Sequence, residues 1–364
     1  MKETLKITRR IQIFVDSKDR AFIKQTYEEL KRWRYICFRC ANYLITHQFV
    51  QDQLRDMIYL TEDMRVRLAD VKKNPNGMLV TSQANSTYRL LGSYFKGRIP
   101  MPIISCLNRA LVNTFFKKVD RYRQGEESLP NYRQNLPIPF NAENLRRLAA
   151  TLDGKEFTFK LFSIPFRTYL SRDQGEKRDL LRRVVDGKVK FCSSAIKLDK
   201  TKLYLLASFE IEQERHLLND EVIAEATLSL DYPVMVKIGK FSYTIGSKEE
   251  FLHRRVAIQA ARNRVRKAVQ YCRGKNGLKR KQKGLEDYRH AEKRHVDYKL
   301  HAYSRKLINL CLKHQAATLI LVAQRDKEEA AKQDQFLLRH WTASGLREKI
   351  QYKADRVGIT VICE

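Results

Sequence analysis

Between Phe251 and Lys283 the sequence places twelve lysines and arginines and no aspartate or glutamate. They are Arg254, Arg255, Arg262, Arg264, Arg266, Lys267, Arg273, Lys275, Lys279, Arg280, Lys281 and Lys283. An exposed helix face ordinarily mixes signs, because opposite charges four residues apart support one another. A face of one sign repels itself unless an anion neutralises it, so this stretch must fold where a polyanion can reach it. The whole chain shows the same bias. Lys and Arg number 71 against 41 Asp and Glu, a formal net charge of +30, which points to nucleic acid as the partner. An apolar fraction of 43% argues against wholesale disorder, and 364 residues allow two or three domains.

No membrane partner is expected. The longest aliphatic run, Ala316 to Ala323, is too short to span a bilayer. The opening residues MKETLKITRR carry charges where the apolar core of a secretion signal would follow. Seven cysteines in a chain of this length fit free thiols in a reducing cytoplasm.

The hydrophobic period changes twice along the chain. A strand-like run, Leu5 to Val15, precedes Asp16 and Ser17, which offer caps for a long helix. Leu30, Trp33, Cys37, Cys40 and Leu44 then recur at three- and four-residue steps, one apolar helical face. Helical patterns continue to about Arg123, broken at Lys73–Gly77 and at Gly97–Pro102. Gly125, Pro130, Pro137 and Pro139 mark a linker, after which Lys155–Leu161 and Lys188–Phe191 alternate as strands do. Ala195–Leu198 and Leu203–Ala207 flank Asp199–Lys202 as the arms of a hairpin. Residues 140–225 are therefore predicted to be mainly β, a small barrel that the N-terminal strand completes, with the helical domain inserted between. Strands at Ala226–Asp231, Val234–Ile238 and Phe241–Ile245 follow. A basic helix from Lys248, a helix over Leu285–His314, a strand at Thr318–Ala323, a helix over Gln335–Ala354 and a strand at Gly358–Ile362 complete the pattern. Strands first, then helices alternating with parallel strands, predict an α/β layer of the RNase H type. The expected fold is a multidomain α+β chain: residues 1–20 with 131–225 as the barrel, 21–130 helical, and 226–364 the α/β layer.

Other motifs are weak. Cys37 and Cys40 form a C-x-x-C, but zinc needs four ligands and no second pair lies at ribbon spacing; they are predicted to be small buried residues. His290, His295 and His301 share one helix at steps that do not align them for a metal, and are predicted to face solvent or nucleic acid. There is no phosphate-binding P-loop and no nucleophile elbow. Basic residues do interleave with aromatics at Lys31, Arg32, Trp33, Arg34, Tyr35 and Arg39, at Tyr94, Phe95, Lys96 and Arg98, and at Phe115, Phe116, Lys117 and Lys118. In such mixtures cations hold the backbone and aromatic planes stack on bases, although the aromatics alone also fit core packing.

Three segments together carry a family resemblance. They are Leu129–Phe140 (LPNYRQNLPIPF), Leu228-Ser-Leu-Asp231, and the run from the basic helix through Leu321-Val-Ala-Gln-Arg325 to Gly358-Ile-Thr-Val361. In this order they resemble the compact type V CRISPR effectors of subtype F and their TnpB ancestors, RNA-guided nucleases with a split RuvC domain. The resemblance implies a wedge-type β-barrel carrying an inserted helical recognition domain, followed by a RuvC-like domain. It also implies a guide RNA, a target double-stranded DNA and an asymmetric homodimer on one guide.

RuvC chemistry needs three carboxylates around two Mg²⁺ ions. By the resemblance the first is Asp231, with Pro233 where a glycine is usual. The second position falls on Gln324, a neutral amide, and Asp326 lies about 7 Å further along the strand. The third carboxylate and the zinc ribbon before it have no counterpart before Glu364; a shortened chain would account for the ribbon but not for Gln324. The expectation is a nuclease-dead member with no catalytic metal and an incomplete RuvC domain. Guide RNA would be its bound nucleic acid, and transcription its field of action, by recruiting a sigma factor and RNA polymerase or by repression. Two alternatives stay open: a weak nuclease using Asp231 and a displaced Asp326, and an unguided structural RNA-binding protein.

Overall fold

The computed structural model describes residues 4–57, 83–170, 176–199, 201–214, 216–228, 232–272, 274–322 and 343–363. The chain divides into two compact units, Lys6–Ile211 and Met1–Leu5 with Glu212–Glu364.

In the first unit, strand β1 (Thr4–Val15) turns Ile7, Ile11, Ile13 and Val15 inward. Helix α1 (Arg20–Met57) follows, capped by Asp19, whose Oδ1 accepts from the Ala21 amide at 2.8 Å. The cap lies later than Asp16 and Ser17 because the sheet still holds the chain there: the Asp16 amide donates to the Pro165 carbonyl at 3.0 Å. Leu30, Trp33, Cys37, Cys40 and Leu44 are all buried, as their spacing predicts. Helices α2 (Gln83–Phe95), α3 (Met101–Phe116) and α4 (Val119–Arg123) complete the helical part, and α2 and α3 pack on α1. The break at Gly97–Pro102 is present between α2 and α3; the one at Lys73–Gly77 lies outside the described residues.

Strands β2 (Ile138–Phe140), β3 (Leu145–Ala150), β4 (Phe157–Leu161), β5 (Ile164–Tyr169), β6 (Lys190–Phe191), β7 (Ser194–Asp199) and β8 (Lys202–Glu212) join β1 in one sheet. Its order is β2-β7-β8-β1-β5-β4-β3, with β6 on β8, so the N-terminal strand sits mid-sheet. The hairpin expected at Asp199–Lys202 is present, with those two residues paired. One element was not anticipated: α5 (Glu176–Val185) lies within the stretch read as β. Arg9 on β1 grips Glu176 at its start with two hydrogen bonds of 2.8 and 3.0 Å.

The second unit holds strands β9 (Asn219–Thr227), β10 (Val234–Ile238) and β11 (Phe241–Ile245), then helices α6 (Lys248–Gln270) and α7 (Lys275–Lys313). Strand β12 (Ala316–Val322), helix α8 (Ala343–Val357) and strand β13 (Thr360–Cys363) close it. The sheet order is β11-β10-β9-β12-β13. The first three strands are antiparallel, β12 is parallel to β9, and β13 is parallel to β12. Helices α7 and α8 cover one face, where Leu300, Tyr303, Leu307, Leu346 and Ile350 meet Val234, Val236, Leu319 and Leu321. Gly246, between β11 and α6, is fixed twice over. Its φ is +80°, and a Cβ there would lie 2.6 Å from the Tyr303 ring.

Two boundaries move. The strand expected at Ala226–Asp231 is β9, and the domain limit expected after residue 225 falls inside it; the compact division lies at Ile211/Glu212. The inward positions of β9 are Ala224 and Ala226, and alanine is a poor strand signal. Helix α7 begins at Lys275 rather than Leu285, after a short break following Gln270. No helix among the described residues is long and apolar enough to cross a membrane.

Candidate nucleic-acid interface

Helix α6 starts at Ser247, whose Oγ accepts from the Glu250 amide at 3.2 Å. Glu249 and Glu250 occupy the first turn, where the helix dipole favours anions; the single-sign run begins only after them. Arg254, Arg264, Arg266 and Lys267 on α6 are exposed, as are Lys275, Lys279, Arg280 and Lys283 on α7. Arg262 and Lys281 are half-buried. Lys281 Nζ donates to the Ala268 carbonyl at 2.8 Å and holds the start of α7 against the end of α6. The end of α6 and the start of α7 are thus held together, with exposed cations on both.

Arg255 is the correction to this set. Its side chain is 0% exposed, lies 5.3 Å over the Phe251 ring, and donates from Nε and Nη2 to Glu292 Oε1 at 3.3 and 3.2 Å. It follows Phe251 by one helical turn and so faces α7 rather than solvent. His295 is corrected for the same reason: it is buried and stacks on Phe251 with centroids 6.4 Å apart. Burial lowers its pKa first, and the neighbouring cations Arg254, Lys299 and Arg255 add to that. Arg273 lies outside the described residues.

In the first unit the aromatic–basic mixtures separate into core and surface. Trp33 is buried edge-on against Phe162, with centroids 5.8 Å apart, and Phe115 is buried too. Lys31, Arg32, Arg39, Lys96, Arg98 and Lys117 are exposed, and Arg34 is half-buried. Lys118 is half-buried and paired with Glu127, so part of its charge is already answered. The α1–α2 surface carries an aromatic ladder. Tyr43 and Tyr94 stack with centroids 5.7 Å apart and planes at 16°. The Arg39 guanidinium lies 5.5 Å from the Tyr43 ring and donates to its hydroxyl at 3.2 Å. Arg98 sits 5.9 Å from the Phe95 ring. The hydrogen bonds that Arg39 donates to Tyr35, then to Tyr43, push its pKa up. Tyr43 was not among the expected residues. The signal was available, since Arg39 and Tyr43 are four apart on one helix.

Asp231, Gln324, Asp326 and Arg325 lie outside the described residues, and among the described ones no group of three His, Cys, Asp or Glu is placed to hold a metal. By the resemblance, the second carboxylate position falls on Gln324, a neutral amide. Cys37 and Cys40 are buried, and burial pushes both thiols up, Cys40 to about 12. They are packing residues, as expected.

The CRISPR-associated endodeoxyribonuclease Cas12f1 of Sulfoacidibacillus thermotolerans is 23% identical over 274 residues, 69% of this chain and 64% of that protein. The chain therefore spans less than two thirds of that relative's length. Among solved structures, the Cas12f1–sgRNA–target DNA complex matches with a TM-score of 0.68 over 99% of this chain and 89% of that chain, at 13% identity. The CRISPR–Cas12f ternary complex matches with a TM-score of 0.41 at 14% identity, over 94% of this chain and 74% of that one. No protein-family model matches the chain.

Proposed function

We propose that the chain is a compact type V CRISPR effector of subtype F that binds DNA under the direction of a guide RNA without cutting it. The observation that carries this reading is a contrast. The single-sign surface of α6 and α7 is intact, while the second carboxylate position of the family is the neutral Gln324. A surface of one sign costs stability unless a polyanion covers it, so it marks binding. An amide in place of a carboxylate removes what Mg²⁺ needs.

On this reading the eight-stranded sheet is the wedge, with α1 to α4 as the recognition helices inserted after β1. The five-stranded sheet is the RuvC-like layer, beginning near Glu212. Base pairing with the guide supplies the sequence specificity. The protein holds the heteroduplex by its backbone and reads a short adjacent motif in the target double-stranded DNA. An asymmetric homodimer on one guide RNA belongs to the same proposal.

A target that is bound and not cut can alter transcription. We assign recruitment of a sigma factor and RNA polymerase as the outcome, with repression by occupancy as its rival. Sequencing the RNA that copurifies with the protein tests the first step. A discrete guide with a repeat-derived scaffold supports guided binding, and random cellular RNA supports an unguided RNA-binding protein instead. A reporter with the guided target upstream of a promoterless gene tests the second. A rise in output supports recruitment; a fall when the target lies inside an active promoter, with no rise in the first arrangement, supports repression.

A further inference from the structure

Arg146 on β3 and Lys160 on β4 are direct cross-strand partners, and like charges placed opposite each other destabilise a sheet. Immediately after Arg146 the register slips, with Arg147 and Leu148 inserted where β4 has one residue. Arg147 takes a φ of +56° there. A bulge of this kind redirects a side chain, and here it adds a third cation beside the first two. All three line one cavity of about 430 Å³, together with Phe162, Ser163 and Pro102. No acidic residue lines it, and none of the three cations has a hydrogen-bonding or ion-pair partner among the described residues.

The cavity wall is strained as well as charged. Phe162 and Ser163 form the two-residue turn between β4 and β5, with φ of +49° and +68°. Such turns favour Asn-Gly, and a bulky aromatic in the left-handed region costs stability. Protection of an edge strand explains one exposed cation on β3, which ends the sheet. It does not explain Lys160 on the inner neighbour, set against Arg146.

We infer that Arg146, Arg147 and Lys160 form a subsite for the phosphodiester backbone of a nucleic-acid strand, separate from the α6–α7 surface. An anion in the cavity turns the opposed cations from a cost into a clamp. The inference rests on the reading that the chain binds nucleic acid, and it names residues which that reading leaves unused.

The test uses the full chain and two probes of arbitrary sequence, a short duplex DNA and a short single-stranded RNA, each titrated over a range of salt. Replacing all three cations (Arg146→Gln, Arg147→Gln, Lys160→Gln) is expected to flatten the log–log salt dependence. The change is about 0.9 on the duplex, or about 0.7 on the single strand, for each phosphate no longer neutralised. The probe whose slope falls identifies the source of the phosphate. Lys160→Glu separates binding from folding. It exchanges the like pair for an opposite one, so Tm stays level or rises while binding weakens. Unchanged slopes on both probes for both variants overturn the subsite, while wild-type protein that binds neither probe overturns the nucleic-acid reading itself.

Discussion

Arg255 on α6 and Glu292 on α7 meet at 3.2 Å with their side chains 0% and 5% exposed. A buried pair of this kind is costly to desolvate and costlier to break, because the surviving charge is left without its partner. The pair fastens α6 to α7 at the base of the cationic surface. Glu292→Ala is expected to lower the unfolding free energy by about 3–5 kcal/mol, read from the midpoint of urea unfolding. Replacing both residues by apolar ones, Arg255→Met with Glu292→Leu, is expected to restore most of that loss. A single variant that unfolds at the wild-type midpoint would show that the pairing is incidental.

The exposed cations of the same helix serve a different end. Changing Arg264, Arg266 and Lys267 together to alanine removes three charges without touching the buried pair. The salt dependence of RNA binding should flatten by about 0.7–0.9 for each phosphate that these side chains neutralise, with little change in Tm. An unchanged slope would make this face merely solvated.

Chemistry should be absent. Guided target DNA is expected to stay intact with Mg²⁺ or Mn²⁺, and Asp231→Ala to leave DNA binding as it is. Metal-dependent cleavage that Asp231→Ala abolishes would falsify the non-cutting reading and establish a weak RuvC-type nuclease.

Lys353 on α8 provides a pH test of the second unit. Its Nζ donates to the His301 carbonyl at 2.5 Å and to Ser304 Oγ at 2.6 Å. Burial, then the charges of Arg305 and Lys349, lower its pKa from 10.5 to about 8. Between those values the unfolded chain holds the proton and the folded one does not, so stability rises with pH. The contribution is complete above about 10.5 and is lost as pH falls through about 8. Wild-type protein should therefore gain on Lys353→Met as pH is raised across that window. The difference between the two unfolding curves isolates this group from the tyrosines and cysteines that titrate nearby. A difference that is flat across the window would mean that Lys353 titrates normally.

What could be read in advance follows from how local each signal is. Leu30, Trp33, Cys37, Cys40 and Leu44 lie within one helix, so their spacing alone declares a buried face. The order of strands and helices after residue 234 was equally legible, because those elements carry their own period, whereas β9 was placed late because its inward positions are Ala224 and Ala226. Helix α5 was missed because only Leu180 and Leu181 of its residues are buried. Its acids at the start and arginines at the end were the readable sign. Arg255 was misread because charge counting ignores which way a residue faces. Its partner, Glu292, is 37 residues away. The opposition of Arg146 and Lys160 depends on a strand register that no local pattern fixes.

The Tyr43–Tyr94 stack separates two kinds of binding energy. Tyr94 is 56% exposed, unusually open for an aromatic that already has a stacking partner, and Arg39 flanks the pair. A base laid on this ladder would gain by stacking, which involves no counterion, whereas Arg39 would contribute through a phosphate. Tyr94→Ala is therefore expected to weaken single-stranded RNA binding by about 1–3 kcal/mol at every salt concentration, leaving the slope unchanged, and Tyr94→Phe to retain most of the affinity. Arg39→Gln should instead lower the slope by about 0.7. The two effects would then be distinguishable in one titration series. If Tyr94→Ala lowers Tm but leaves RNA affinity intact, the ladder only packs α2 against α1, and the base-stacking role is withdrawn.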